Sequence, residues 1–430
     1  MNAGTSQQSD KNTSIFEPIK NLELDALGRF RFARQLLRRV AESDCPTTIG
    51  LYGGWGTGKT SILYLMQASN SPEHLQGLEQ PIITYIDAWP YEISGDLTLP
   101  IVMGVRGLIK KTPDAAYSRN WQKVIGVVAQ ASLDIALRRT LNIELGDVEK
   151  YADNIKNGGL DQTVFSNIET MVKEIQGAQV AFRELVELAC KENQNRRIVF
   201  QIDNLDRCSP ENVVRLLESI KNFLYAPQCT WVFAMDSGVI ASYIDRKYEG
   251  TRMDGNSYLD KIIPEQFHIP PVSGNDMAKL QKFLSRARPT KFANLPTIDL
   301  TKIPQLPEVL IPRRLLKTAH RFYKAYTTPT QHGAAATPDM IFALILLYNS
   351  WPAFYERFSS ESPEHVRGIL ANFIVKEQNS QHLIPLPQTL INDRSLVHYI
   401  HHCFIKGQDI DKTQVLLAGS MAWLHEAGLP

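Results

Sequence analysis

The spacing of apolar side chains divides the chain into short apolar runs that alternate with helical repeats. From Leu22 to about Ala41, Leu24, Leu27, Phe30, Ala33, Leu37 and Val40 recur at helical spacing, which predicts an amphipathic helix ended by Asp44-Cys45-Pro46. Thr47-Thr48-Ile49-Gly50-Leu51-Tyr52 is then a β-branched and apolar run closed by glycines, the pattern of a buried strand. A helix through Ile62–Met66 follows. Further strands are predicted over Pro81–Asp87, Arg196–Ile202 and Thr230–Met235. Residues from about 97 to 195 read as mostly helical, with a loop at Asn157-Gly158-Gly159. A helix start is legible at Ser209-Pro210-Glu211, where Ser suits the cap, Pro the first helical position and Glu the positive helix end. Strands alternating with helices predict an α/β fold with a parallel sheet covered on both faces.

The punctuation changes near Pro270–Gly274, where Pro270-Pro271, Pro289, Pro296, Pro304, Pro307 and Pro312 break up short segments. Beyond them the pattern is helical to the end, without a convincing strand or an internal repeat. Residues 1–20, rich in Ser, Gln, Asn and Lys, read as a disordered leader. The expected organisation is therefore this leader, an α/β domain over 21–270 with a helical insertion at about 97–195, and a mostly α-helical region over 271–430.

Composition narrows the function only at the margins. A net charge of +1 gives no sign of a strongly basic nucleic-acid binder. The five cysteines lie far apart and form no CxxC pair, which suits a reducing compartment better than a disulfide framework. No uncharged apolar run approaches the ~20 residues that span a bilayer. Val124–Ala136 is interrupted by Asp134, and Ile341–Tyr348 is too short. The expectation is a cytoplasmic chain.

Candidate chemistry concentrates at two strand ends. Gly53-Gly54-Trp55-Gly56-Thr57-Gly58-Lys59-Thr60 fits G-x-x-x-x-G-K-[ST] between a predicted strand and a predicted helix, as phosphate binding requires. Glycines let several backbone N–H groups converge on a triphosphate, Lys59 places an ammonium at the β- and γ-phosphates, and the Thr60 hydroxyl is a hard ligand for Mg2+. These residues, with Ser61 after them, are the expected contacts to ATP. The third strand ends in Asp203-Asn204-Leu205-Asp206-Arg207. Asp203 at its tip is a second candidate for Mg2+, and Asp206 either orients the attacking water or pairs with Arg207 at the next helix.

Taken together, these motifs resemble the KAP family of P-loop NTPases, related to the STAND class of signalling ATPases. That family shows G-x-W-G-x-G-K-[ST], an F-N-A-W strand end and a D-D-L-D-R third-strand end. Here the corresponding residues are the loop with Trp55, Ile86-Asp87-Ala88-Trp89-Pro90-Tyr91, and Asp203–Cys208. Tyr258–Ile263 with Phe267–Pro270, Ile311–Lys317, and Asp25-Ala26-Leu27-Gly28-Arg29 resemble three further segments, so the likeness spans about residues 22–325. It implies a three-layer αβα P-loop fold of ASCE/STAND type followed by an α-helical region. It also implies Gly28 and Arg29 near the adenine. Arg313 is expected either as a sensor arginine on the γ-phosphate or as a solvent-facing partner of Arg314.

Two departures stand out. Asn204 replaces an acidic residue of the motif, and no segment matches the transmembrane helices many members carry between the two motifs. The implied activity is an Mg-dependent, slow ATPase working as a nucleotide-dependent switch in bacterial anti-phage defence, with protein partners or an effector encoded nearby. Homo-oligomerisation stays open, with Arg207 as an arginine finger in trans. The alternative is a scaffold that binds ATP with little turnover. A GTPase is disfavoured by the lack of N-K-x-D. Among weaker signals, Asp236 reads as a γ-phosphate sensor or a helix cap, Trp89 as packing, and His398 with His402 as a helical pair suited to zinc only with a third ligand.

Overall fold

The structure is a computed structural model. It describes residues 15–110, 117–126, 162–222, 224–272, 277–289, 295–300, 309–327, 337–360 and 393–405, with scattered positions in 303–306 and 413–428. The Asn157-Gly158-Gly159 loop and residues 127–136 of the apolar run lie outside the described residues, as does the leader up to residue 14. The chain divides into two compact units, one comprising Phe30–Trp55 and Lys59–Ile269 and the other Met1–Arg29, Gly56–Gly58 and Pro270–Pro430.

The first of these units holds a five-stranded parallel sheet: β1 (Thr47–Tyr52), β2 (Ile82–Asp87), β3 (Ile198–Asp203), β4 (Cys229–Met235) and β5 (Glu265–His268), in the order β2-β3-β4-β1-β5. Its helices include α1 (Phe30–Glu42), α2 (Lys59–Ala68), α3 (Leu99–Leu108), α4 (Gln162–Glu192), α5 (Pro210–Asn222), α6 (Ser237–Lys247) and α7 (Gly255–Ile262). Every residue of β3 and β4 is buried, which requires cover on both faces of the sheet. Phe200 and Trp231 stack at 4.5 Å between ring centroids in the core.

Buried polar groups fix how α2 and α1 lie on the sheet. Gln201, fully buried on β3, accepts from Gln67 Nε2 at 2.7 Å and donates to the Leu63 carbonyl at 3.3 Å, so the helix after the glycine loop is tied to the third strand. Arg197 donates to the carbonyls of Val40 and Ser43 at 3.0 and 2.7 Å, satisfying the C-terminal end of α1.

Two expectations need correction. The helix predicted from Leu22 begins only at Phe30: Leu22–Leu24 is a single 3-10 turn, and Gly28 sits at φ 70. There the Asp25 carboxylate accepts from Arg29 N at 3.0 Å, a local bond that competes with helix continuation. The sheet also has a fifth strand that the apolar pattern did not reveal. Glu265-Gln266-Phe267-His268 has a single apolar residue, alternates only in exposure, and pairs with β1 at the sheet edge, where Arg39 grips Glu265 with two bonds of 2.6 and 2.9 Å.

The other unit is helical among the described residues: α8 (Met277–Ser285), α9 (Pro312–Thr327), α10 (Pro338–Ser350), α11 (Pro352–Ser360) and α12 (Arg394–Ile400). Phe322 of α9 sits edge-on to Phe342 of α10 at 5.6 Å, and the Tyr399 hydroxyl donates to the Ala343 carbonyl at 2.8 Å. Residues 15–20 pack here, with Phe16 T-shaped on His320 at 5.4 Å and Ile19 only 8% exposed. No helix among the described residues is long and apolar enough to cross a membrane.

In the sheet unit, α6 and α7 meet where Gly255 leaves no room for a side chain, since a Cβ there would stand 2.2 Å from the Ala241 carbonyl oxygen. Gly255→Ala is expected to destabilise the fold by about 1–3 kcal/mol through overpacking, measured by urea denaturation.

Candidate nucleotide site

All five strands run parallel, so their carboxyl ends share one edge, where ligands bind in such sheets. Gly53 N donates to the Met235 carbonyl at 3.2 Å, which carries the β1–β4 pairing one residue into the glycine loop. The chain enters α2 at Lys59, and the first turn of that helix directs its N–H groups back toward the loop. Gly56 and Gly58 have φ of 82 and 104, a left-handed backbone that glycine adopts without strain. Gly56–Gly58 belongs to the helical unit, where Arg313 N donates to the Gly56 carbonyl at 3.2 Å. A Cβ on Gly56 would stand 2.9 Å from Arg313 Cβ, so the position is closed to any side chain.

Lys59 and Thr60 each meet a carboxylate from the third strand end. The Lys59 ammonium pairs with Asp206 Oδ2 at 3.2 Å, the two side chains being 7% and 4% exposed, and also donates to the Gly53 and Gly54 carbonyls at 2.8 and 3.4 Å. Thr60 Oγ1 donates to Asp203 Oδ2 at 2.6 Å. The Tyr85 hydroxyl adds a bond of 3.2 Å to the same carboxylate oxygen. Burial pushes the Asp203 carboxyl above its ordinary value, against the lowering effects of Thr60, the Asn204 N–H, Tyr85 and Lys59. A buried carboxylate beside a hydroxyl oxygen is a donor set that suits a hard divalent cation.

Asn204 turns the chain at the strand end with φ 61, a left-handed conformation in which Asn is enriched. Its Nδ2 donates to Asp87 Oδ1 at 2.9 Å, on the neighbouring strand where Asp87 and Asp203 are register partners. Asp87 Oδ1 also accepts from Trp89 N at 3.2 Å. The arrangement reverses the resembled motifs: here β2 ends in the acid and β3 carries the amide.

Arg207 finds aromatic partners. Its guanidinium lies 5.3 Å from the Trp55 ring centroid and 5.0 Å from that of Trp89, while Nε is buried without a hydrogen-bond partner among the described residues. Both indoles are largely exposed, at 62% and 51%. This sandwich was not apparent from sequence, although a Trp in each motif and an Arg in the third were its only signal. Tyr85 and Asp87 were missed because their roles depend on strand order.

The remaining candidates are dispersed. Gly28, Arg29 and Arg313 belong to the helical unit, where the Arg29 guanidinium donates to the Pro270 carbonyl. Asp236 caps α6, accepting from Gly238 N and Val239 N at 3.1 and 3.4 Å. Ser61 is half-buried in the first turn of α2. His398 and His402 stack at 6.2 Å, and among the described residues no group of three or more His, Cys, Asp or Glu is arranged to hold a metal.

Truncating the clamped cation tests its energetic weight. Arg207→Ala is expected to lower stability by about 1–2 kcal/mol, the loss of two partly exposed cation–π contacts, measured by urea denaturation with Trp55 and Trp89 intact.

Comparison with known proteins places this geometry in a family. The chain is 22% identical to the phage T7 exclusion protein of Escherichia coli (strain K12) over 284 residues, which is 60% of this chain and 35% of that protein. It therefore spans about a third of that relative's length. Among solved structures, the Aeropyrum pernix ORC2 protein in ADPNP and ADP complexes aligns over 97% of this chain and 90% of its own, at 11% identity and a TM-score of 0.32. The profile of the KAP family P-loop domain matches residues 31–297, the stretch that holds the whole sheet, so the chain belongs to the KAP family of P-loop NTPases.

Proposed function

We propose that the chain binds ATP with Mg2+ and hydrolyses it slowly, as a regulatory switch. The observation that carries this reading is the double tie at the sheet edge, with Lys59 on Asp206 and Thr60 on Asp203 at 3.2 and 2.6 Å. Those are the groups that phosphoryl transfer asks of a P-loop protein: an ammonium for phosphate charge, a hydroxyl and a carboxylate for the metal, and a further carboxylate beside them. Thr60 and Asp203 would hold Mg2+, which when bound neutralises charge on the phosphate oxygens. Gly53 to Ser61 would supply the phosphate contacts, and Gly28 and Arg29 the base side. Arg313, whose backbone already bonds the loop at Gly56, is the proposed γ-phosphate sensor. Because ATP and ADP differ only at the γ-phosphate, groups that touch it bias one arrangement of the protein over another.

The biological setting we infer is anti-phage defence in the cytoplasm, supported by a relative whose name records exclusion of phage T7. Protein partners would deliver the effect. The second reading is a scaffold that binds ATP with little turnover, and Asn204 in place of an acid is the observation that favours it.

Titration calorimetry with ATP and Mg2+ tests the first step. Lys59→Ala is expected to weaken ATP binding about 100-fold, through loss of a charge-assisted contact to phosphate. ATP affinity unchanged by Lys59→Ala would sink the site. Steady-state hydrolysis then separates the readings: turnover in the parent that Asp206→Asn cuts about 100-fold supports the ATPase, whereas tight binding with no turnover supports the scaffold.

A further inference from the structure

Four carboxylates stand at or just beyond the strand ends of the nucleotide edge: Asp87, Asp203, Asp206 and Asp236. Two of them are committed elsewhere, and a third serves as a helix cap. Asp203 is 1% exposed and holds Thr60 and Tyr85 on one oxygen. Asp206 is paired with the Lys59 ammonium, and its side chain is 4% exposed. Asp236 also keeps both of its bonds on Oδ1, from two backbone N–H groups of α6, but it caps that helix beyond the end of β4 and is not a register partner of Asp203. Asp87 is half-buried, and both of its hydrogen bonds fall on Oδ1, from Asn204 Nδ2 at 2.9 Å and Trp89 N at 3.2 Å. Among the described residues Oδ2 takes none.

We propose that Asp87 is the carboxylate that orients the attacking water and that Asn204 is its positioning residue. This rests on the ATPase reading above and assigns a group that reading leaves open. The amide fixes one oxygen of Asp87 and so sets the direction of the other. The left-handed backbone of Asn204 aims the amide across the strand gap, and register places Asp87 beside Asp203, whose oxygens hold the metal in that reading. Water oxygen forms the new bond to the γ-phosphorus, and the bond from that phosphorus to the bridging oxygen breaks with its electron pair leaving on ADP. The water's protons remain on the inorganic phosphate, so Asp87 accepts a hydrogen bond and no net proton. Asn204 then supports catalysis as an orienting group, and its presence does not imply a dead site.

Single-turnover ATP hydrolysis with protein in excess, alongside ATP affinity by calorimetry, tests the assignment. Asp87→Asn still permits an amide-to-amide bond with Asn204, so a purely structural role would leave the rate alone. The expected result is a rate about 100-fold lower with ATP affinity changed by less than about threefold. Asn204→Gly keeps the left-handed turn, removes only the amide, and is expected to lower the rate about tenfold. A rate within about threefold of the parent in Asp87→Asn overturns the proposal. If that variant does not fold, Asn204→Gly at the parental rate overturns it instead. A parent that binds ATP without turnover sinks the ATPase reading and this inference together, whereas an active parent with an indifferent Asp87→Asn sinks the inference alone.

Discussion

The edge of the sheet is organised by an electrostatic constraint. An ammonium and two carboxylates from segments well over a hundred residues apart are buried together, and burial of a charge is tolerated only with a close partner. Lys59 has Asp206, and Asp203 has hydroxyls from Thr60 and Tyr85. Neither pair forms unless β1 and β3 are spaced by β4 and in register with it, so the strand order is a precondition of the site. Gln67 and Gln201 repeat the tie about two helical turns further along α2, at a fully buried Gln201 where an unmet amide would be costly. The helix carrying Lys59 and Thr60 is thus pinned to the strand that carries their partners at two depths.

Surrounding this buried ion pair is a more exposed tier. The Arg207 cation sits over two indole faces, each contributed by a different strand end, one from the glycine loop and one from the segment after β2. A guanidinium is weakly hydrated and planar, so it stacks on aromatic faces where an ammonium would keep its water. The result joins three motifs through their side chains at the point where their backbones diverge. Its cost is an Nε buried without a hydrogen-bond partner among the described residues.

How much of this was legible in the sequence follows from the range of the interactions. The central strands were readable because they are buried on both faces and appear as continuous apolar runs, and the glycine loop because its backbone geometry dictates residue type. β5 was not readable, since a four-residue edge strand with Glu and Gln in it has no apolar signature; its pairing comes from β1 and from the Arg39–Glu265 grip. The start of α1 was overrun because apolar spacing continues through Leu24 and Leu27, while Gly28 and the Asp25 side chain impose a turn that periodicity does not register. At the site, Lys59, Thr60 and Asp203 were evident from local motifs. Tyr85 and Asp87 were not, because only the β2–β3 register brings them to Asp203 and Asn204.

Asn204 shows what motif reading by single positions loses. Taken alone on β3, an amide where an acid is usual suggests a weakened site. In the folded chain that amide is bonded to a carboxylate 117 residues away, on the strand where the resembled motif has an amide. The pair therefore keeps one acid and one amide with their strands exchanged. A hydrogen-bonded carboxylate–amide pair has the same net charge and nearly the same volume in either order, so the local packing and desolvation terms barely change. What changes is which strand presents the carboxylate oxygen, and so where that oxygen lies relative to the Asp203 carboxylate. In the proposed ATPase, the orientation of the attacking water would follow that displacement and not the identity of either residue by itself.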